Sequence, residues 1–204
     1  MKIRTSCLLL TALLLAGCWQ KSLNPFYTTK DLVSEPKLVG AWKEHKESDT
    51  GAESDRTIWT FTDTGEQRFA LQFRSEKEQQ EYEAHVFRFE GQRFLDILLL
   101  RREISVIPAH HLFKVVELGT DLKLVPLNIE WVQKWLKEHP GSLSYLAVVD
   151  PEHPKDREQD ELVLTADTKA LQSFLRAHLN DQDFFGETMT LKKQTTGGAE
   201  NVKK

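Results

Sequence analysis

The stretch Thr57-Ile58-Trp59-Thr60-Phe61-Thr62 is the clearest fold signal in this chain of 204 residues. It is rich in β-branched and aromatic side chains, which favour β-strands. The turn residues Asp63-Thr64-Gly65 follow it, and Phe69, Leu71 and Phe73 then alternate with polar positions. Apolar residues at every second position share one face of a strand. The pattern therefore predicts a β-hairpin with one buried face and one solvent-exposed face.

Outward from this hairpin, further short strands are bounded by turn residues. They are predicted over residues 38–43, 82–89, 94–100, 104–107, 111–118, 122–125, 143–149, 162–164 and 188–193. Within 82–89 the alternation breaks, because Phe87 and Phe89 lie on the face opposite to the other apolar residues, and a β-bulge is expected there. The 94–100 strand is apolar on both faces except at Asp96, so its second face needs cover.

Two amphipathic helices can supply that cover. Asn128 can cap the first, which ends at His139, and Thr165 can cap the second, whose apolar residues recur at helical spacing up to Leu179. The strands are not separated by helices in the alternating order that a parallel sheet requires. The order predicts a mainly β protein, α+β by content, in which an antiparallel meander sheet or barrel is covered by two amphipathic helices.

Gly40-Ala41-Trp42 opens the first of these strands and resembles the G-x-W motif of lipocalin and calycin barrels. The resemblance implies a lipocalin-like barrel in which the glycine permits a close backbone turn and Trp42 closes the floor. In a hollow barrel of this kind, Trp42, Phe69, Leu71 and Phe73 would line a site for a small hydrophobic ligand. Trp42 could equally be an ordinary core residue, and both interpretations bury it.

The first 18 residues have the organisation of an export signal. Lys2 and Arg4 form a positive start, a short apolar run follows, and Leu15-Ala16-Gly17-Cys18 ends it. The run is shorter than the ~20 residues that a membrane-spanning helix needs. The last four residues resemble the lipobox of bacterial lipoproteins. The resemblance implies that the chain is cut before Cys18, whose thiol carries a diacylglyceryl group and whose new amino terminus is acylated.

The lipobox leads to a division of the chain into four parts. Residues 1–17 are predicted to be the signal peptide, 18–37 a lipidated tether, 38–193 a single β-rich domain and 194–204 a disordered tail. The tether is predicted because that segment shows no sustained periodicity; fully extended, it would reach ~60 Å. Trp19, rather than an aspartate, follows the cysteine. By resemblance this implies the outer membrane, facing the periplasm, in a bacterium with two membranes.

Charge and cysteine content exclude several functions. Loss of residues 1–17 removes Lys2 and Arg4 and lowers the formal net charge from −4 to −6. Such an acidic chain has no electrostatic reason to bind nucleic acid. Cys7 also leaves with the signal peptide, so Cys18 is the one cysteine that the mature sequence keeps. Neither a disulfide nor thiol chemistry is therefore expected.

No cluster in the sequence predicts catalysis, a metal site or a cofactor. His110 and His111 are adjacent, and because neighbours in a strand point to opposite faces, they are not expected to ligate one metal ion. The sequence contains no phosphate-binding loop, esterase elbow or zinc-protease motif. Asp96 has a setting that could raise its pKa, but a solvent-facing position or a pair with a nearby arginine is the simpler expectation. The chain is therefore expected not to be an enzyme.

Two binding functions remain open at this point. The first is a barrel that holds a small hydrophobic ligand or lipid. The alternative is a structural or assembly lipoprotein that binds another envelope protein. Trp131 and Trp135 lie one helical turn apart and are the candidate surface for such a partner. A hollow barrel favours the ligand, whereas a filled barrel with an exposed apolar patch favours the partner.

Overall fold

A computed structural model describes residues 19–45, 57–76, 79–100, 108–148 and 161–194. This part of the chain contains eleven strands, two α-helices and one 3-10 turn. The strands are β1 (Lys21–Ser22), β2 (Gly40–His45), β3 (Ile58–Gly65), β4 (Arg68–Arg74), β5 (Gln79–Phe89), β6 (Gln92–Leu99), β7 (His110–Leu118), β8 (Asp121–Pro126), β9 (Tyr145–Val148), β10 (Glu161–Leu164) and β11 (Met189–Lys193). The helices are α1 (Ile129–Glu138) and α2 (Thr168–His178), and the 3-10 turn is Pro36–Leu38.

Several sequence predictions concern residues outside these ranges. They are the signal peptide with Cys18, the short strand at 104–107 and the tail beyond Gln194.

Eight of the described strands form a closed antiparallel barrel. Strands β2 to β8 follow one another as a meander, and β11 returns between β8 and β2 to close it. Every pair around the barrel is antiparallel. The predicted hairpin of residues 57–74 is the β3–β4 pair. The prediction of a mainly β, lipocalin-like barrel accompanied by two helices is confirmed.

A smaller sheet branches from the barrel at the start of β7. There β7 pairs with β1, β1 pairs in parallel with β10, and β10 pairs with β9, which forms the edge. In the first of these pairings Lys21 lies opposite His111 and Ser22 lies opposite His110. The branch therefore joins the N-terminal segment to the barrel wall.

The tether predicted for residues 18–37 is wrong for the residues that the structure describes, because the chain packs against the barrel from Trp19 onward. The most deeply buried residues of this segment are Gln20, Ser22 and Phe26, each with at most 2% exposure. Further along, the backbone N–H of Val33 donates to the Val86 oxygen at 2.9 Å. Each contact involves one or two residues, so the segment shows no periodicity although it is folded.

Strands β5 and β6 are buried on both faces. Their inward side chains join the barrel interior, whereas Phe87, Phe89 and Phe94 face outward into a second apolar core. This outer core includes Leu171 and Phe174 of α2, so the helices supply the predicted cover. The bulge predicted at Phe87 is wrong, because β5 pairs with both of its neighbours without a register shift. The alternation breaks because both faces of the strand are covered.

Trp42 closes the end of the barrel at which β2 begins. The side chain is 0% exposed, and its indole N–H donates to the Leu38 oxygen at 2.8 Å. Lys193 Nζ lies 4.9 Å from the indole centre and donates to the Lys37 oxygen at 3.1 Å. Gly40 has a φ of +125°, and a Cβ there would lie 3.2 Å from Lys193 Cε, so the position favours glycine. The prediction that Trp42 is a buried residue at the barrel floor is confirmed.

The two helices begin with side-chain caps. Asn128 caps α1 as predicted, since its side-chain oxygen accepts from two backbone N–H groups of the first turn. Helix α2 is capped by Asp167 rather than Thr165, and Asp167 Oδ1 accepts from the Ala170 N–H at 2.8 Å. A carboxylate at this position also interacts favourably with the positive end of the helix dipole.

Candidate functional site

The barrel interior is a packed core. The four residues predicted to line a ligand site, Trp42, Phe69, Leu71 and Phe73, all pack in it. The first three are at most 1% exposed. The Trp59 ring centroid lies 5.4 Å from that of Phe73. A side chain that lines a water-sized cavity keeps accessible surface, so these residues fill the interior instead of enclosing an empty site.

Trp19 occupies the other end of the barrel. Its ring centroid lies 4.8 Å from that of Phe113, 5.7 Å from Trp59 and 6.3 Å from Phe73. Because neighbouring strands run in opposite directions, the start of β3 and the end of β4 lie opposite to the Gly40 end. The indole is half-buried and comes from the N-terminal segment, not from a barrel strand. The mouth that a ligand would enter is therefore occupied by the protein's own side chain.

His111 lies beside Trp19, with ring centroids 5.7 Å apart. Burial lowers its pKa to about 4, and the charge of Lys21 acts in the same direction. Its Nδ1 has no hydrogen-bond partner among the described residues. The imidazole is therefore neutral at pH 7, as an apolar barrel mouth requires.

His110 faces the outer side of the barrel wall, as the alternation predicts, and pairs with Asp96. The His110 Nδ1 atom lies 2.6 Å from Asp96 Oδ1. Asp96 is 0% exposed, so burial raises its pKa while His110 lowers it. Tyr27 of the N-terminal segment lies nearby, and its pKa is raised by burial and by the charge of Asp96. The expectation of a solvent-facing Asp96 is wrong, and Arg93, one of its three expected arginine partners, pairs instead with Glu35 of the N-terminal segment. The other two, Arg101 and Arg102, lie outside the described residues.

The Asp96–His110 pair lacks an accessible nucleophile in the described structure. Ser22 lies opposite His110 in the β1–β7 pairing, but its Oγ donates to the Asn24 oxygen at 2.8 Å. Ser22 is also only 1% exposed, whereas a nucleophile must be within reach of a substrate. The arrangement favours a structural role, in which the pair helps to hold the N-terminal segment on the wall.

An open groove lies between α1 and α2 on the outer surface. Its volume is about 470 Å³, within the range of roughly 300–1,000 Å³ that small-molecule sites occupy. The apolar lining comes from Trp135, Leu143, Ala170, Phe174 and Ala177, and the polar lining from Ser142, Asp167, Lys169, Ser173 and His178. The lining is therefore mixed, with apolar side chains for contact area and polar groups that could orient a ligand.

The two tryptophans predicted as a surface patch come together along α1. Trp131 and Trp135 have ring centroids 6.5 Å apart and planes that differ by 9°. The His139 ring continues the stack, 4.8 Å from Trp135 at 20°. Spacing by four residues places these rings above one another on the helix. We call Trp131, Trp135 and His139 the aromatic ladder; both tryptophans are half-buried, and His139 is exposed.

Phe174 and His178 of α2 pack against the aromatic ladder. The Phe174 centroid lies 4.9 Å from that of Trp135, and the His178 centroid lies 5.1 Å from it. His178 is oriented by Asp181, whose Oδ2 lies 2.6 Å from His178 Nδ1. Neither residue was predicted from the sequence to belong to a binding surface. Their spacing by four positions on the apolar face of α2 was the signal that could have identified them.

No group of three or more His, Cys, Asp or Glu side chains in the described ranges could hold a metal ion. Within the same ranges, the helices are too short or too polar to cross a bilayer.

Comparison with known proteins provides no relative. No protein-family model, curated protein or solved structure matches this chain.

Proposed function

We propose that this chain is a bacterial lipoprotein, anchored in the cell envelope through Cys18, that binds a small hydrophobic ligand in the groove between α1 and α2. The anchor is supported by the lipobox-like sequence Leu15-Ala16-Gly17-Cys18. Trp19 after the cysteine supports the outer membrane, on its periplasmic side, in a bacterium with two membranes. In this proposal the barrel is a rigid scaffold.

One observation carries the choice of site: the barrel is filled, whereas the groove is open. The interior residues predicted to bind a ligand are packed against one another, and Trp19 occupies the mouth. The groove has a volume of about 470 Å³, and the half-buried Trp135 is part of its lining. The apolar site therefore lies outside the barrel.

The lining indicates what kind of ligand fits. Trp135 and Phe174 offer ring surfaces for a flat or aliphatic group, while Lys169, Asp167 and His178 offer polar contacts. A ligand of about 20 non-hydrogen atoms at ~0.3 kcal/mol per atom gains about 6 kcal/mol. That free energy corresponds to a Kd on the order of tens of micromolar.

The proposal does not include catalysis. Asp96 and His110 form a buried carboxylate–imidazole pair that could act as an acid or base, and the N-terminal segment covers them. No convergent set of nucleophile, base and cleft is formed by the described residues that line the groove.

The second candidate is a structural or assembly lipoprotein that binds another envelope protein through the aromatic ladder. The observation in its favour is that Trp131 and Trp135 are only half-buried and that their rings stack on one another along α1. Tryptophan is enriched among the residues that contribute most to protein–protein binding. Loss of a co-purifying protein on Trp131→Ala would favour this candidate.

The test is to block the groove without removing core packing. Ser173 is exposed and lines the groove, so Ser173→Trp should fill it. Titration of the fluorescent apolar probe N-phenyl-1-naphthylamine should give a Kd of tens of micromolar for the wild type, and at least tenfold weaker binding for Ser173→Trp.

Lys134→Trp is the matched control. Lys134 is exposed on α1 but does not line the groove, so its variant adds the same indole at another place. The control should bind the probe as the wild type does. Equal binding by all three proteins would contradict the groove as the site.

A further inference from the structure

We propose that strand β9 contacts the lipid surface, so that the domain lies against the bilayer in one orientation. The inference rests on the lipid anchor at Cys18 proposed above and names a further partner for the domain, the membrane itself. It also replaces the flexible tether with a fixed arrangement.

Strand β9 concentrates the exposed apolar residues of the protein. In the described chain six large apolar side chains are exposed, and three of them are in β9: Tyr145 at 41%, Leu146 at 52% and Val148 at 43%. The fourth residue of the strand, Ala147, is exposed as well. Soluble surfaces rarely gather such residues in one short element, and a cluster of this kind indicates a contact surface.

The register of the smaller sheet places this surface beside the N-terminal segment. Lys21 pairs with Val163, and Val163 pairs with Leu146. Residues that are directly opposite in neighbouring strands share a face of the sheet. Because side chains alternate along a strand, Trp19 and Val148 belong to this same face. The face therefore carries Trp19, Lys21, Leu146 and Val148.

The described chain begins at this face. Continuing the parallel register by two residues places Trp19 beside Glu161, which pairs with Val148. With ~4.8 Å between strands, the Trp19 and Val148 backbones are about 10 Å apart. Cys18 is the residue before Trp19 in the sequence. The acyl chains would thus leave the protein next to the exposed apolar strand.

Because Trp19 is packed against the barrel, no flexible segment separates the proposed anchor from the domain. Its indole is held by Phe113 at 4.8 Å and by Trp59 at 5.7 Å, and the next residue, Gln20, is 2% exposed. A domain fixed one residue away from its lipid keeps a constant, high effective concentration at the surface. Contacts too weak to bind a free protein to a bilayer then suffice to orient it.

The chemistry of the face suits the boundary between headgroups and acyl chains. Leu146 and Val148 can enter the apolar side of this boundary.

The test measures the depth of β9 in the lipidated protein. Because Cys18 is thioether-linked and Cys7 is removed, an introduced cysteine is the one free thiol. Leu146→Cys is labelled with the fluorophore NBD, and the protein is reconstituted in vesicles of phosphatidylethanolamine and phosphatidylglycerol. Nitroxide-labelled phospholipids should quench the fluorophore several-fold more than they quench the same label at Val116→Cys.

Val116 is the matched control because it is an exposed valine, 56% accessible, in the part of β7 away from the smaller sheet. Equal quenching at the two positions in a protein whose N-terminal peptide carries acyl mass would overturn this inference alone. An N-terminal peptide without acyl mass, with the chain released from membranes, would overturn the anchor and this inference together. Groove binding is measured separately and is not affected by either result.

Discussion

The two ends of the barrel are each closed by a tryptophan, but the two residues reach their places differently. Trp42 belongs to strand β2, and its indole donates to Leu38, four residues away. Trp19 belongs to the N-terminal segment and packs among Trp59 and Phe113, which lie 40 or more positions further along the chain. A local motif suffices at one end. The other end depends on a segment that distant strands hold in place.

The largest effect is expected at the Gly40 end. Trp42→Ala removes a fully buried indole and its hydrogen bond, so the free energy of unfolding should fall by about 3–5 kcal/mol. Denaturant unfolding of a chain that lacks residues 1–17 measures this. Val116→Ala is the control, and at 56% exposure it should change stability little. Equal unfolding midpoints for Trp42→Ala and the wild type would show that Trp42 does not stabilise this end of the barrel.

A pH effect is expected at the Trp19 end. The folded-state pKa of His111 is about 4, below its ordinary value of 6.5. The unfolded chain then binds the proton more readily, so the contribution of His111 is complete above pH 6.5 and is lost as the pH falls toward 4. The loss amounts to about 3 kcal/mol at ~1.4 kcal/mol per pKa unit.

His111→Leu should abolish that part of the pH dependence. The measurement is the free energy of unfolding at pH 7.5 and pH 4.5 for both proteins. Asp96, whose pKa burial raises, acts in the opposite direction. It is present in both proteins, so the difference between their pH profiles reports on His111. Parallel profiles would contradict the burial of a neutral His111 in the barrel mouth.

The smallest effect is expected for Trp19→Ala. The indole is half-buried but contacts several rings, so its loss should cost about 2 kcal/mol. Denaturant unfolding of the same truncated chain provides the measurement. A residue in a free tether would cost nothing when replaced. An unchanged midpoint would therefore support the predicted tether. It would also show that Trp19 does not close its end of the barrel as Trp42 closes the other.

Where the pattern was local, the sequence predicted the structure. The β3–β4 hairpin follows from alternation and a turn within 18 residues, and α1 follows from its asparagine cap and apolar spacing. Gly40 and Trp42 were identified because the motif is contiguous and a positive φ favours glycine. For the candidate site, Trp131 and Trp135 were identified because residues four apart on a helix meet.

Apart from the cap of α2, which is Asp167 and not Thr165, the errors concern contacts between distant parts of the chain. The tether was predicted because β1 has two residues and shows no periodicity, yet Lys21 pairs with His111, 90 positions away. The bulge in β5 was predicted because one covered face was assumed, while the helices cover the other. The partner of Asp96 was missed because His110 is reached only through the β6–β7 pairing.

By itself the sequence determined the eight strands of the barrel, the two helices and the closure of one barrel end, because each depends on residues that are near one another in the chain. Only the tertiary structure decided that the interior is filled, that Trp19 occupies the mouth and that the open groove lies between α1 and α2. The same alternating pattern describes a hollow barrel and a solid one. The difference is set by how side chains from eight strands and one N-terminal segment meet, and packing of that kind leaves no periodic trace in the sequence.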